Sequence, residues 1–158
     1  MNRLARAATL ALSLWALPAG AIEITEVTSP MGHTGWLVHE PSIPFASIEV
    51  VFTGGASLDT PMQSGAVSLM TSLLTEGAGD YDAQGFASAL ESLAGSVGFD
   101  ARRDSVTMTI RALSENRDQV VDLALTALTE PHFDQISLER KASAPPGRPA
   151  PHNPPPEP

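Results

Sequence analysis

Residues 54–59 read Gly54-Gly55-Ala56-Ser57-Leu58-Asp59 and, after a short spacer, residues 65–77 read Gly65-Ala66-Val67-Ser68-Leu69-Met70-Thr71-Ser72-Leu73-Leu74-Thr75-Glu76-Gly77. The second part predicts a helix, because its apolar side chains recur with the spacing of one helical face: Ala66, Leu69, Met70, Leu73 and Leu74. The spacer begins Thr60-Pro61-Met62-Gln63, which is typical of a capped helix start with a capping box. Gly77 and Gly79 are expected to end the helix. We therefore expect a glycine turn followed by one helix with a buried face.

Strands are predicted ahead of this stretch. Residues 35–39 (G-W-L-V-H) and 47–52 (S-I-E-V-V-F) are rich in β-branched and aromatic side chains. Residues 22–27 alternate weakly and predict a short strand before them. Pro41 and Pro44 separate the two stronger segments and favour a loop over a tight hairpin.

The chain then continues as helix, hairpin and helix. Asp82 begins a helix that Gly95 ends, and residues 97–101 and 106–110 alternate around a polar turn, which predicts an antiparallel hairpin. Ser114 is expected to cap a helix that Pro131 ends, and residues 133–140 begin another. The inward side chains predicted for the helix after Ser114 are Val120, Val121, Ala124, Leu125 and Leu128. This order predicts an α+β fold, an antiparallel sheet with helices packed on one face.

The amino end resembles an export signal. Arg3 and Arg6 precede a short apolar run, and Ala19-Gly20-Ala21 is a small-x-small cleavage site, so residues 1–21 are predicted to be a signal peptide. The alternative is an uncut membrane anchor, but the apolar run is too short to span a bilayer. Without Arg3 and Arg6 the chain has 7 basic and 18 acidic side chains, which makes nucleic acid and anionic membranes poor partners. There is no cysteine, which excludes disulfides and thiolate metal sites.

The carboxyl end changes composition abruptly. Residues 141–158 include 8 prolines and almost no large apolar side chain, so we expect a disordered tail after a folded region at 22–140. The tail is interpreted either as a linker or proline-motif ligand, or as an accidental end such as translation in another frame. We favour the second, because the preceding helical pattern stops without a helix stop signal.

The chain resembles the amino-terminal domain of insulinase-like (pitrilysin-type) zinc metallopeptidases. The resemblance lies in the order of its segments: strand, strand, G-G-A-S-x-D, helix, helix, strand, strand, helix, P-H-F. The similarity covers about residues 32–140, and it implies an insulinase-like domain that is incomplete at its carboxyl end. Active members of that family carry H-x-x-E-H on the first long helix, where two histidines bind zinc and the glutamate activates water. A glutamate several dozen residues further on completes the zinc site.

The resemblance puts the two histidine positions at Ser68 and Ser72 and the base position at Thr71. Neutral hydroxyls replace neither imidazole at a zinc site nor a carboxylate base. The distant glutamate would lie in or beyond the proline-rich tail, where only Glu157 is available. We therefore predict no catalytic residue, no metal site and no cofactor.

Other candidate sites are weaker. The histidines His33, His39, His132 and His152 have no partner at helical metal-ligand spacing. The polar stripe Ser64, Ser68, Thr71, Ser72 and Thr75 is interpreted as a solvated helix face or as a neutral groove for a peptide. A nucleophilic serine is disfavoured, because there is no G-x-S-x-G elbow.

The resemblance includes subunits that have lost the catalytic residues and pair with a catalytic subunit. We therefore expect a catalytically silent insulinase-like homologue or fragment, periplasmic or secreted, not associated with a membrane after signal cleavage. Its expected partner is a catalytic insulinase-like subunit, with a peptide as a second expected ligand. Two alternatives stay open: a component of a zinc metalloendopeptidase that is active only with a catalytic partner, and a free-standing periplasmic binding module.

Overall fold

The computed structural model describes residues 23–143. The predicted signal peptide at 1–21 and most of the predicted tail, 144–158, lie outside the described residues. The chain divides into two compact units, Met1–Ile43 and Pro44–Pro158.

The described part of the first unit is a β-hairpin. Strand β1 (Ile24–Thr28) pairs antiparallel with β2 (Thr34–Val38), from Ile24↔Val38 to Thr28↔Thr34. In the connecting turn, the Ser29 N–H donates to the His33 carbonyl at 2.8 Å. Both strands were predicted, with boundaries that differ by one or two residues.

The second unit is built on a three-stranded antiparallel sheet in the order β3, β7, β6. Strand β3 (Phe45–Thr53) and strand β6 (Ser96–Ala101) flank β7 (Ser105–Leu113). The hairpin predicted around residues 102–104 is therefore confirmed. Two short strands, β4 (Gly77–Ala78) and β5 (Tyr81–Asp82), form a separate ladder.

The helices of this unit are α1 (Ala66–Leu73), α2 (Ala83–Ser92), α3 (Arg117–Thr129) and α4 (Gln135–Ser143). Helices α2 and α3 cover one face of the sheet, where Met108, Ile110 and Ala112 of β7 pack against Val120 and Ala124 of α3. The alternate side chains of β7, including Thr107, Thr109 and Arg111, face away from this core. The predicted α+β fold, with helices on one face of an antiparallel sheet, is confirmed.

The predicted start of α1 was wrong. Residues Pro61–Gln63 form a separate 3-10 turn, and α1 begins only at Ala66, because Gly65 has a left-handed backbone conformation (φ 89°) that breaks the helix. The expected capping box is replaced by a bond between side chains, in which the Thr60 hydroxyl donates to Gln63 Oε1 at 3.1 Å.

The predicted buried faces were only partly right. On α1, Leu73 and Leu74 are buried, but Met70 is 40% exposed and Thr71, assigned to the polar stripe, is 4% exposed. On α3, Leu125 is 49% exposed, whereas Leu123 and Ala127 are buried. Helix α3 packs against the sheet with one set of side chains and against Phe86 of α2 and Ala78 of β4 with another. Its buried stripe is therefore wider than a single-face pattern predicts.

Two helix ends also differ from the sequence prediction. Ser114 lies in a 3-10 turn (Ser114–Asn116), and α3 begins at Arg117 without a side-chain cap. The Asn116 side chain instead donates to the Leu93 carbonyl at 2.9 Å, which ties this turn to the end of α2. Helix α4 runs to Ser143, so residues 141–143 of the predicted tail are helical.

Candidate site on helix α1

Helix α1 is held at its amino end by the carboxylate of Asp59. The Gly65 N–H donates to Asp59 Oδ2 at 2.7 Å, and the Val67 N–H donates to Asp59 Oδ1 at 3.1 Å. These N–H groups belong to the first helical turn and have no acceptor within the helix. A carboxylate is also favoured there by the positive end of the helix dipole. Asp59 therefore supplies the cap that the sequence pattern assigned to Thr60.

The glycine turn before Asp59 is joined to the turn between β6 and β7. The N–H groups of Gly54, Ala56 and Ser57 donate to the carbonyls of residues 104, 102 and 103 at 2.9, 2.8 and 2.7 Å. A Cβ atom at Gly55 would lie 2.2 Å from the Arg102 carbonyl oxygen, so only glycine fits. The G-G-A-S-x-D stretch thus positions α1 relative to the sheet.

The three positions that the resemblance assigned to catalysis differ in exposure. Ser68 is exposed, Ser72 is half-buried, and Thr71, at the position of the general base, is buried. The Thr71 hydroxyl donates to the Ser68 carbonyl at 3.0 Å, and the Ser72 hydroxyl donates to the Leu69 carbonyl at 2.7 Å. Two of the three hydroxyls are therefore engaged with the backbone of their own helix.

These positions do not fit a zinc ion. Zinc in proteins is bound by thiolate, imidazole or carboxylate, and the three side chains offer only neutral hydroxyls. Among residues 23–143, no group of three or more histidine, aspartate, glutamate or cysteine side chains lies close enough to hold a metal. The imidazole of His132 instead contacts the Gly79 carbonyl through Nε2 at 2.6 Å. His152 lies outside the described residues.

The segment that follows α1 contacts α4 through charged side chains. Glu76 accepts a bond from Lys141 Nζ at 2.8 Å and pairs with the guanidinium of Arg140. Partial burial raises the pKa of Glu76, but the hydrogen bond from Lys141 and the charges of Lys141 and Arg140 outweigh burial and hold this pKa below its ordinary value. No local sequence pattern predicts this contact, because it joins residues more than 60 positions apart.

A cleft of about 500 Å³ lies beside this segment. Its apolar part comes from α2 and β6, and its polar part comes from Thr75, Glu76, Gln84 and Arg140. Thr75 belongs to the polar stripe that was interpreted as a solvated face or a peptide groove, and it is half-buried, whereas Ser64 is exposed. The stripe is thus neither uniformly solvated nor a single groove.

In the described part of the chain, no helix is long and apolar enough to cross a membrane.

Comparisons with known proteins agree with this geometry. The model of the insulinase family (peptidase family M16) matches residues 36–146. A protein of Helicobacter pylori named "Non-peptidase homolog YmxG" is 33% identical over 98 residues, which are 62% of this chain and 23% of that protein.

Solved structures show the same fold. A peptidase M16 inactive domain from Pseudomonas fluorescens superposes with a TM-score of 0.67 at 23% identity, over 75% of this chain and 29% of that one. A protease from Helicobacter pylori superposes with a TM-score of 0.63 at 14% identity, over 77% of this chain and 29% of that one.

The fold and helix α1 thus define an insulinase-type domain. The chain belongs to the insulinase family, peptidase family M16. It spans about a quarter of the length of these relatives.

Proposed function

We propose that this chain is a catalytically silent insulinase-family protein that acts as the non-catalytic partner of a catalytic insulinase-like subunit. The observation that carries the proposal is the chemistry of α1. The helix is retained and capped, but the positions of the zinc ligands and the base are Ser68, Ser72 and Thr71. A serine or threonine hydroxyl binds zinc weakly and does not activate a water molecule as a general base.

The burial of Thr71 strengthens the argument against hydrolysis. A general base must reach a water molecule at the reacting bond, whereas the Thr71 side chain is 4% exposed and its hydroxyl donates to a helix carbonyl. Substituting three side chains therefore does not by itself restore the family chemistry. The relative from Helicobacter pylori, which is named a non-peptidase homolog, supports the same proposal.

A partner role accounts for what the chain keeps. The glycine turn, the Asp59 cap and the helix-covered sheet are all retained, although the zinc ligands are not. The resemblance described above includes subunits that have lost these residues and pair with a catalytic subunit, which is the role that a retained fold without zinc ligands can serve. The export signal predicted at residues 1–21 supports a location in the periplasm or outside the cell.

The test combines binding and activity. We expect the purified chain alone to leave unstructured peptides uncut, and to co-elute with a catalytic insulinase-like protein from the same organism in size-exclusion chromatography. The matched control is that catalytic protein with its motif glutamate changed to glutamine, which should still bind. Chelator-sensitive cleavage by the chain alone would contradict the silent assignment, and failure to bind any insulinase-like protein from the organism would contradict the partner role.

A further inference from the structure

Helix α4 buries little of its own surface. Of its nine residues, Ser137 is 5% exposed, Leu138 and Lys141 are half-buried, and Ile136 is 82% exposed. Neither hydrophobic cluster of the described residues includes a side chain of α4, whereas α3 buries four apolar side chains. Apolar burial therefore holds α3 in place far more strongly than it holds α4.

The residues that follow α4 offer little to strengthen it. Residues 144–158 contain no valine, leucine, isoleucine, methionine, phenylalanine, tyrosine or tryptophan, so they provide no large apolar side chain to pack on the helix. A helix of nine residues is also too short to be stable in water by itself. Helix α4 therefore depends on the contacts that it makes with the rest of the domain.

Those contacts are largely ionic. Within residues 23–143, α4 packs against α1 and reaches the segment that follows α1. There the Glu76 side chain is 17% exposed and pairs with both Arg140 and Lys141 of α4, whose side chains are 60% and 33% exposed. The Arg140 guanidinium also donates to the Ser137 hydroxyl at 3.4 Å. Because both cations reach solvent, added salt weakens their pairing with Glu76.

The chain before α4 is anchored up to His132 and strained at the next residue. The His132 N–H donates to the Gly77 carbonyl at 3.0 Å, and its imidazole contacts the Gly79 carbonyl. Phe133 then has a φ of 49°, a left-handed conformation that a residue with a Cβ atom rarely adopts. This strain is released when the backbone can turn away from it. Phe133 is therefore suited to act as a hinge.

We propose that α4 is a hinged strap, which opens about Phe133 while the rest of the domain stays folded and which the Glu76 ion pairs hold closed. Arg140 is the residue of α4 that lines the cleft described above. Opening withdraws Arg140 from the cleft and leaves the Glu76 carboxylate free, so the strap controls both the width and the charge of the cleft. This property of the fold is independent of the partner role proposed above.

Hydrogen exchange of the full chain, followed by mass spectrometry, distinguishes opening of α4 from unfolding of the domain. Amides of α4 should exchange at least about tenfold faster than those of α3, because local opening requires less free energy than global unfolding. Low concentrations of urea should accelerate exchange in α3 and leave α4 unchanged, since the open strap exposes little new surface. Equal exchange rates in the two helices, or an equal response to urea, would overturn the proposal.

Two variants separate the strap from the domain. Asp59→Ala removes the cap of α1, so exchange in α3 should become about five- to thirtyfold faster, while exchange in α4 stays the same. Glu76→Gln removes the ionic closure, so exchange in α4 should become about three- to fivefold faster. If Asp59→Ala accelerates α4 as much as α3, then α4 opens only together with the domain and the strap does not exist.

Salt tests the ionic closure itself. Raising sodium chloride from about 0.05 M to about 0.5 M should accelerate exchange in α4 of the native chain, because salt screens Glu76 from its two cations. The same change should have little effect on α4 in Glu76→Gln. Asp100→Asn is the matched control, since it removes a carboxylate that pairs with Arg102 and should keep the salt response of α4. A native chain without that response, or a Glu76→Gln chain that keeps it, would contradict the ionic closure.

Discussion

The Asp59 carboxylate accepts a hydrogen bond of 2.7 Å from the backbone N–H of Gly65, six positions along the chain. This bond joins the glycine turn at the sheet to the first turn of α1, and a second bond from Val67 extends it into the helix. The helix that carries Ser68, Thr71 and Ser72 is thus oriented by one side chain outside it.

Removing this cap should destabilise the domain. Asp59→Ala leaves the N–H groups of Gly65 and Val67 without their acceptor, and we expect a loss of about 1–2 kcal/mol in the free energy of unfolding. Urea denaturation measures it. Ser57→Ala is the control, since Ser57 is exposed and uses its backbone N–H in the turn. An equal effect of both changes would mean that the cap contributes little.

Zinc is expected to bind no more tightly than to an unrelated acidic protein. The positions Ser68, Thr71 and Ser72 provide no imidazole, thiolate or carboxylate. Metal analysis after dialysis is the measurement. One zinc ion retained per chain would contradict the expectation. The triple change Ser68→His, Thr71→Glu and Ser72→His should fail to restore peptide cleavage, because the resemblance places the third zinc ligand in or beyond residues 141–158, where only Glu157 is available.

Position 71, which the resemblance assigns to the general base, should not tolerate a carboxylate side chain. Thr71→Glu would put a charged group where the native side chain is 4% exposed, and we expect a loss of about 2 kcal/mol or more in stability. Ser68→Glu, one helical turn away and exposed, is expected to change stability by less than about 0.5 kcal/mol. Thermal melts of the two variants give the comparison. Similar melting temperatures would show that Thr71 is not buried in solution.

The contact between α1 and α4 should depend on pH. Because the folded-state pKa of Glu76 lies below its ordinary value, its contribution to stability is fully present above that value, 4.5, and is lost as the pH falls through the lower folded-state pKa. Glu76→Gln should therefore lower the free energy of unfolding by up to about 1 kcal/mol near pH 7. The loss should be smaller as the pH falls below the ordinary pKa of Glu76.

Urea denaturation across this pH range measures the difference between the two proteins. Glu139→Gln is the control, because the Glu139 carboxylate accepts a bond from Gln135 within α4. A difference in the free energy of unfolding that grows as the pH falls would contradict a lowered pKa for Glu76.

The boundary of α4 can be tested by truncation. A chain that ends after Ser143 keeps the Lys141 bond to Glu76 and should melt within a few degrees of the full chain. A chain that ends after Arg140 loses that bond and the last turn of α4, so it should melt at a lower temperature. Equal melting of the two truncated chains would mean that residues 141–143 do not stabilise the domain.

Local signals predicted much of this fold correctly. The hairpin of β6 and β7 follows from alternation around a polar turn. Asp82 was predicted to begin α2, and its side chain caps that helix, with the Gly85 N–H donating to Asp82 Oδ1 at 2.7 Å. The start of α1 was predicted at the wrong residue, because a threonine followed by a proline can begin either an α-helix or a 3-10 turn. Here it begins a 3-10 turn. The cap supplied by Asp59 could have been predicted from one feature of the sequence, an aspartate shortly before the helix.

The chemistry that α1 can offer follows from the amino-acid sequence alone, because serine and threonine at positions 68, 71 and 72 lack a zinc-binding or basic group in any fold. The sequence also predicted the longer strands and helices, since side-chain periodicity depends only on neighbouring residues, but it did not predict the short strands β4 and β5 or the 3-10 turns before α1 and α3. Only the tertiary structure decided that Thr71 is buried, that Leu125 is exposed, and that Glu76 pairs with α4. Burial and pairing depend on which elements pack together, and those elements are distant in the chain.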